Sequence, residues 1–206
     1  MILLERTSVM NWENAIRGMR NPLNSWHLND SEYDEDGNYV LGENDRRLSH
    51  NLATSGSDHR KFLRQIFVSV DITAPLYWWK EYDTYKVATV ANSTSTMHKI
   101  HAKAFGREDF SCDRMSEAAL GELDHMIAFL EATRQKFVET KEKAYWDDLI
   151  QLLPSSYNQT RTCTLNYETL INIYYARRHH KLAEWHVFCD WIKSLPYADL
   201  LICVKD

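Results

Sequence analysis

The chain is poor in the residues that staple, break or span. It has 4 Cys, 4 Pro and 6 Gly in 206 residues. Cys112, Cys163, Cys189 and Cys203 contain no CxxC pair. That argues against a disulfide or zinc framework and for reduced thiols, so a cytoplasmic location is expected. The scarcity of Gly and Pro excludes collagen, linkers and long disordered tracts. No apolar run approaches the roughly 18 residues of a spanning helix, so no membrane partner is expected. The opening MILLERTSVM meets an acid after a short apolar stretch and has no signal-peptide pattern. Positive charge is also lacking. A net charge of −5 is at odds with general nucleic-acid binding, which needs a basic footprint. P-loop, GxGxxG, GxSxG and HExxH motifs are all absent.

What is present is ordinary globular material, 44% hydrophobic, with 7 Trp and 11 Tyr. Such rings carry large apolar area with a polar handle, which suits interfaces and ring-binding pockets. The length predicts a single domain over residues 1–206. Within it, residues 1–58 form an acidic N-terminal region and 59–206 the core. A helix is predicted over Val9–Met19 with Ser8 as its cap, and another over Glu43–Leu52. The acidic stretch SEYDEDGNYVLGEN reads as a solvated loop. Ile66–Thr73 is β-branched and alternates, as a strand does. Pro75 then sits where a helix begins. KVATVANSTST reads as a strand or extended stretch running into a loop. Leu120, Leu123, Ile127, Leu130 and Phe137 share one face of a helix opened by Ser116. Trp146–Leu153 continues helical to Pro154. Thr160–Asn166 is a strand, followed by helices over Glu168–Arg178 and Leu182–Ser194. Pro196 ends the last one. The sum is α+β rather than an alternating βαβ array.

Several residue groups offer chemistry, each with a bland counterpart. His98 with His101, and His180 with Glu184, have helix-face spacing, but two ligands do not complete a metal site. Arg177, Arg178, His179, His180 and Lys181 form the densest basic cluster, with Arg177 and Lys181 on one helical face. They either oppose a helix dipole or bind a phosphate or a pyrimidine carbonyl. Trp78 and Trp79 beside Lys80 either stack on a planar ligand or fill a core. Ser93, Thr94, Ser95 and Thr96 either cradle a phosphate or form a polar turn. No Ser or Cys has an identifiable base partner, so nucleophilic catalysis is unsupported.

Two of these segments, with their spacing, resemble the flavin-dependent thymidylate synthases. In LNYETLINIYYARRHHKLAEWHVF, Asn166, Asn172 and Arg177 follow Leu153-Pro154 at the family's spacing. Ala183-Glu184-Trp185 matches the family's Ala-Gln-Trp only after a one-residue shift, so Arg178 rivals Arg177. In TAPLYWWKEYDTYKVATVANSTST, Ala74-Pro75 aligns with the family's Ala-Pro and Lys80-Glu81 with its Arg-Gln. The signature Arg-His-Arg then falls on Thr84, Tyr85 and Lys86, and its Ser on Thr94. Only Lys86 keeps a charge. Ile150 and Ile66 stand where the family has a phosphate-binding Arg and a flavin-binding His. Each lost charge-assisted contact to a phosphate is worth roughly 1.5–3 kcal/mol.

The resemblance implies a fold of long helices packed on a small, mostly antiparallel sheet. It implies homotetramers that bind dUMP and use FAD, NADPH and methylene-tetrahydrofolate to methylate it. Arg177 would then be catalytic, polarising the pyrimidine. Lys86, Asn166 and Asn172 would bind FAD. Lys80, Glu81, Ser93, Thr94, Ser95 and Arg178 would bind the nucleotide. The weakened signature leaves a second expectation open: an inactive member of the scaffold that binds a nucleotide or a protein partner.

Overall fold

The computed structural model describes residues 2–205. Along the chain lie β1 (Leu3–Met10), α1 (Trp12–Met19), β2 (Glu32–Tyr33), β3 (Tyr39–Val40) and α2 (Glu43–Thr54). Then come β4 (Phe67–Pro75), α3 (Leu76–Tyr82), β5 (Val90–Ser93), α4 (Glu117–Thr140) and α5 (Lys143–Leu152). β6 (Asn158–Asn166), α6 (Tyr167–Arg177), α7 (Ala183–Lys193) and α8 (Ala198–Leu201) follow. The class is α+β, as the sequence predicts.

Alternation builds β4. Val68, Val70, Ile72 and Ala74 are buried and their neighbours less so, the period of a half-buried strand. The strands β1, β4, β6 and β5 lie in that order in one sheet. Hydroxyl pairs join Ser69 to Thr164 at 2.6 Å and Thr73 to Thr160 at 2.7 Å. One residue number rises as the other falls, so β4 and β6 are antiparallel. A separate antiparallel hairpin sets Tyr33 of β2 opposite Tyr39 of β3.

The chain divides into two compact units. The first holds the residues up to Leu3, then Ile72–Thr84 and Asn92–Thr162; the second holds Leu4–Asp71, Tyr85–Ala91 and the chain from Cys163 onward.

In the first unit the Ser116 hydroxyl caps α4 by accepting from the Ala119 amide. Leu123 and Leu130 of α4 and Leu149 of α5 pack with Ile100, Phe105 and Phe110. Fully burying one such side chain contributes about 1.5–3 kcal/mol. The two helices are not continuous: Lys141 takes φ +61° and stops α4. Glu131 on α4 accepts from Arg134, from the Phe105 amide and from Gln135. These bonds, led by Arg134, hold its carboxyl down to about 2. The carboxylate's contribution is therefore complete above its ordinary value of 4.5 and fades as pH falls toward 2. Glu131→Gln should flatten the acid limb of the stability curve in that window. Urea midpoints across pH measure it, and an unchanged slope would remove this ion pair from the account.

In the second unit Ile16, Leu63, Ile66, Leu170, Trp185, Phe188 and Ile192 are fully buried. Trp12 meets Tyr167 and Tyr197 edge-on at 5.4 and 5.5 Å. The Tyr197 hydroxyl donates to the Tyr39 carbonyl and accepts from the Leu41 amide, both at 3.0 Å. Arg20 and Asp45 form a buried ion pair at 2.6 Å.

Five expectations change. Ser8 does not cap a helix over Val9–Met19: Leu3–Met10 is a strand and α1 starts after Asn11. The strand is largely exposed, so no strong alternation marks it; Glu5 and Arg6 suit a sheet edge, where charge discourages pairing between molecules. The acidic stretch is not all solvated loop, because it holds β2 and β3 and buries Tyr39 and Leu41. Trp146–Leu153 belongs to a helix that starts afresh at Lys143. α8 follows Pro196. Lys181 and His180 lie between α6 and α7, so neither shares a helical face with Arg177 or Glu184.

Candidate functional site

The sequence-predicted site residues fall into two groups, one in each unit.

The first unit holds Lys80, Glu81, Ser93, Thr94 and Ser95. Lys80 and Glu81 lie in the last turn of α3, with Lys80 exposed. The preceding residues do not face a ligand: Trp78 and Trp79 are buried at 0% and 1% exposure, so the core reading of that pair holds. Ser93 ends β5, and Ser93, Thr94 and Ser95 are all exposed. Thr94 is anchored through its backbone, its amide donating to the Thr160 carbonyl at 2.9 Å and its carbonyl accepting from Gln159 at 2.7 Å. That leaves its side chain clear of the anchoring bonds. The Ser95 hydroxyl lies 3.0 Å from His98 Nδ1 and accepts from the His98 amide. This is a local turn, the kind Ser makes with backbone near it.

Arg161 was not singled out from the sequence. It lies in β6 with its guanidinium 4.1 Å from the Trp79 ring, and it donates to Asp83 at 2.7 Å and Gln159 at 3.0 Å. Through Gln159 it braces the backbone of Thr94. The one available signal was an arginine inside the β-branched run TRTCT.

The second unit holds Lys86, Asn166, Asn172, Arg177 and Arg178. Asn166 is buried and caps α6, its Oδ1 accepting from the Thr169 amide at 2.9 Å and hydroxyl at 3.1 Å. Asn166→Ala should cost about 1–2 kcal/mol through the lost cap alone, read by thermal or urea unfolding. A change within error would mean that the capping bonds carry no stability. Asn172 is exposed on α6. Arg177 ends that helix, where a cation opposes the negative end of the dipole. Its Nε donates to the Tyr85 hydroxyl at 2.8 Å, and its guanidinium lies 4.8 Å from the Trp185 ring and 5.5 Å from the Tyr85 ring. Arg178 lies against Tyr175 at 4.9 Å.

Lys86 is exposed on the segment that carries Tyr85. The Thr169 hydroxyl lies 3.3 Å from the Val87 carbonyl, which ties this segment to α6. Ala88 adopts φ +57°, a left-handed conformation costing about 1–2 kcal/mol for a residue other than glycine. The Thr89 Oγ1 is buried and has no hydrogen-bond partner among the described residues. A strained backbone beside an orphaned hydroxyl is a common mark of a binding loop. Among the described residues no group of three or more His, Cys, Asp or Glu converges as a metal site.

No family model matches the chain. No curated protein matches it. Solved structures do. Thymidylate Synthase X (ThyX) from Helicobacter pylori with FAD and dUMP superposes with a TM-score of 0.68 at 16% identity, over 100% of this chain and 99% of the other. A second structure of that enzyme complexed with FAD and dUMP gives 0.67 at 16% identity, over 97% of both chains. The UMP/dUMP methylase PolB from Streptomyces cacaoi bound with 5-Br dUMP gives 0.69 at 13% identity, over 99% of this chain and 95% of that one. Such likeness at low identity is one of fold: this chain has the fold of the flavin-dependent thymidylate synthases.

Proposed function

We propose that this chain binds a pyrimidine nucleotide of the dUMP class, with Arg177 as the base-recognising residue. One observation carries the reading: Arg177 is set against Trp185 and held by Tyr85 at the end of α6. An arginine so restrained loses little further freedom on meeting a pyrimidine carbonyl, and its planar fork suits that acceptor. Arg178, the next residue, lies against Tyr175 instead and is the second candidate for a nucleotide contact. Within the first unit, taken by itself, Ser93, Thr94 and Ser95, with Lys80 and Glu81, are candidate phosphate and sugar contacts.

The finer reading is methyl transfer with FAD in a cytoplasmic homotetramer, with NADPH and methylene-tetrahydrofolate as the hydride and one-carbon donors. The orphaned Thr89 hydroxyl and Lys86, three residues before it, supply a donor and a cation, which supports an anionic dinucleotide as the ligand. Lys86, Thr89, Asn166 and Asn172 would hold it, Asn166 while capping α6. A bound flavin supplies hydride transfer. Val87 and Val90 are 86% and 67% exposed on the same segment, an apolar edge that a second copy would cover. One feature favours a non-catalytic binding or accessory module instead: Tyr85 replaces the histidine of the signature and itself engages Arg177.

Purified protein should gain thermal stability with dUMP, by about 2.7 kcal/mol at one hundred times the dissociation constant. Arg177→Ala should weaken dUMP at least about tenfold, the loss of one charge-assisted pair. No dUMP shift in the wild type overturns nucleotide binding. A dUMP shift in protein that takes up no FAD and shows no flavin absorption supports the non-catalytic reading.

A further inference from the structure

A cavity of about 550 Å³ in the second unit lies among β1, the β2–β3 hairpin and the end of α7. None of the residues that line it is charged, and four of them are Trp12, Tyr33, Tyr39 and Trp191. Two pairs of these rings are in contact. Trp12 and Tyr39 are nearly parallel, with centroids 6.4 Å apart and planes 8° apart. Tyr33 stands across Tyr39 at 72° with centroids 5.0 Å apart. The Trp191 indole is fixed by donating to the Thr7 hydroxyl at 2.9 Å. Tyr33 is 54% exposed, so it forms the accessible wall.

The surroundings of these rings are negative. Asp34 follows Tyr33, and its carboxylate accepts from the amide and side chain of Asn38, which also lines the cavity. These bonds hold its carboxyl below the usual range. Burial raises the Tyr39 phenol, and the charges of Asp45 and Glu13 raise it further. Asp45 is balanced by Arg20, whereas Glu13 and Asp34 have no such neighbour in an ion pair among the described residues. The basic groups nearest in sequence, Arg6 beside Thr7 and Lys193 beside Ser194, lie 3.0 Å from Asp71 and 3.4 Å from Asp190.

We propose that this cavity binds an alkylated ammonium group. Aromatic faces attract cations through their quadrupoles, and the acidic rim adds longer-range attraction. The lack of any carboxylate in the lining selects the kind of cation. A primary ammonium would shed strong hydration and find no charged partner, whereas a quaternary one carries little hydration to lose. The head group can come free, as in choline, or on a trimethylated lysine. Its lining includes none of the proposed nucleotide residues, so the proposal stands or falls without them.

Titration followed by tryptophan fluorescence and calorimetry tests it, with choline and its neutral isostere 3,3-dimethylbutan-1-ol as probes. Choline should bind at least about tenfold more tightly than the alcohol. Tyr33→Ala, at a half-exposed ring, should weaken choline about tenfold with the melting temperature of the unliganded protein as its folding control, and Tyr33→Phe should not. A trimethyl-lysine peptide that binds more tightly than choline, with its unmodified counterpart weaker, assigns the cation to a protein side chain. A peptide weaker than choline assigns it to a free metabolite. Equal binding of choline and the alcohol, or binding of no probe, overturns the proposal.

Discussion

Replacing Asp45 with alanine should cost about 3–5 kcal/mol, the usual loss when one partner of a buried ion pair is removed. Arg20 and Asp45 have side chains 3% and 0% exposed and meet through two guanidinium nitrogens, each 2.6 Å from the same oxygen. The other Asp45 oxygen accepts from the amides of Asp30 and Ser31 and from the Ser31 hydroxyl. Deletion would therefore strand a buried cation and free three donors. The Asp30 carboxylate returns the favour by accepting from the amides of Asn44 and Asp45 at the start of α2, so the loop before the hairpin and the helix after it are pinned together. A paired change of Arg20→Met and Asp45→Leu should recover the part due to the stranded cation, because apolar replacement of both partners is often neutral, while the three freed donors keep their cost. Urea unfolding measures both. A single-variant loss below about 1 kcal/mol, the scale of an exposed pair, would show that burial does not govern this interaction.

Trp79→Ala should lower stability by about 3–5 kcal/mol, the range for removing a buried aromatic ring. Trp79 is 1% exposed, and its indole donates to the Gln159 carbonyl at 2.9 Å. It meets Trp78 and Tyr82 edge-on at 5.0 and 5.2 Å. Truncation would also strip Arg161 of the ring beneath its guanidinium. Trp79→Phe separates these contributions. It keeps most of the apolar volume and loses the donor, so about 1–3 kcal/mol is expected for the carbonyl left unpaired. If the two variants unfold at the same denaturant concentration, ring volume is not what Trp79 supplies.

The same residue shows what the sequence could carry and what it could not. Adjacent tryptophans beside a lysine are written alike whether they face a ligand or a core. The choice depends on Gln159 and Arg161, about eighty positions away. Period-2 alternation in β4 and the Ser116 cap of α4 are local, and both were legible. Asn172 and Arg177 could be placed on α6, and Asn166 at the end of the strand before it. That the Asn166 oxygen serves the helix cap could not be read, since Asn is equally at home in a cap and in a binding loop. β1 escaped notice because an exposed edge strand with Glu5 and Arg6 lacks an apolar face. His180 and Glu184 had helical spacing, but α6 ends at Arg177 before either is reached. The buried Asp45 sat in the most acidic part of the chain, where solvation is the ordinary expectation for each carboxylate.

The sheet order β1-β4-β6-β5 sets a timetable for the nascent chain. Its partners lie far apart in sequence: Arg6 and Asp71 are separated by 65 residues, Thr94 and Gln159 by 65, Thr73 and Thr160 by 87, and Ser69 and Thr164 by 95. β6, the strand that β4 and β5 both need, leaves the ribosome after every other strand. Until then β4 has one flank unpaired. The α4–α5 pair needs no such wait, because its partners are close in sequence and local contacts form early. Synthesis should therefore pass through a stage with a formed helical pair and an unfinished sheet, the stage at which a chaperone would be of most use.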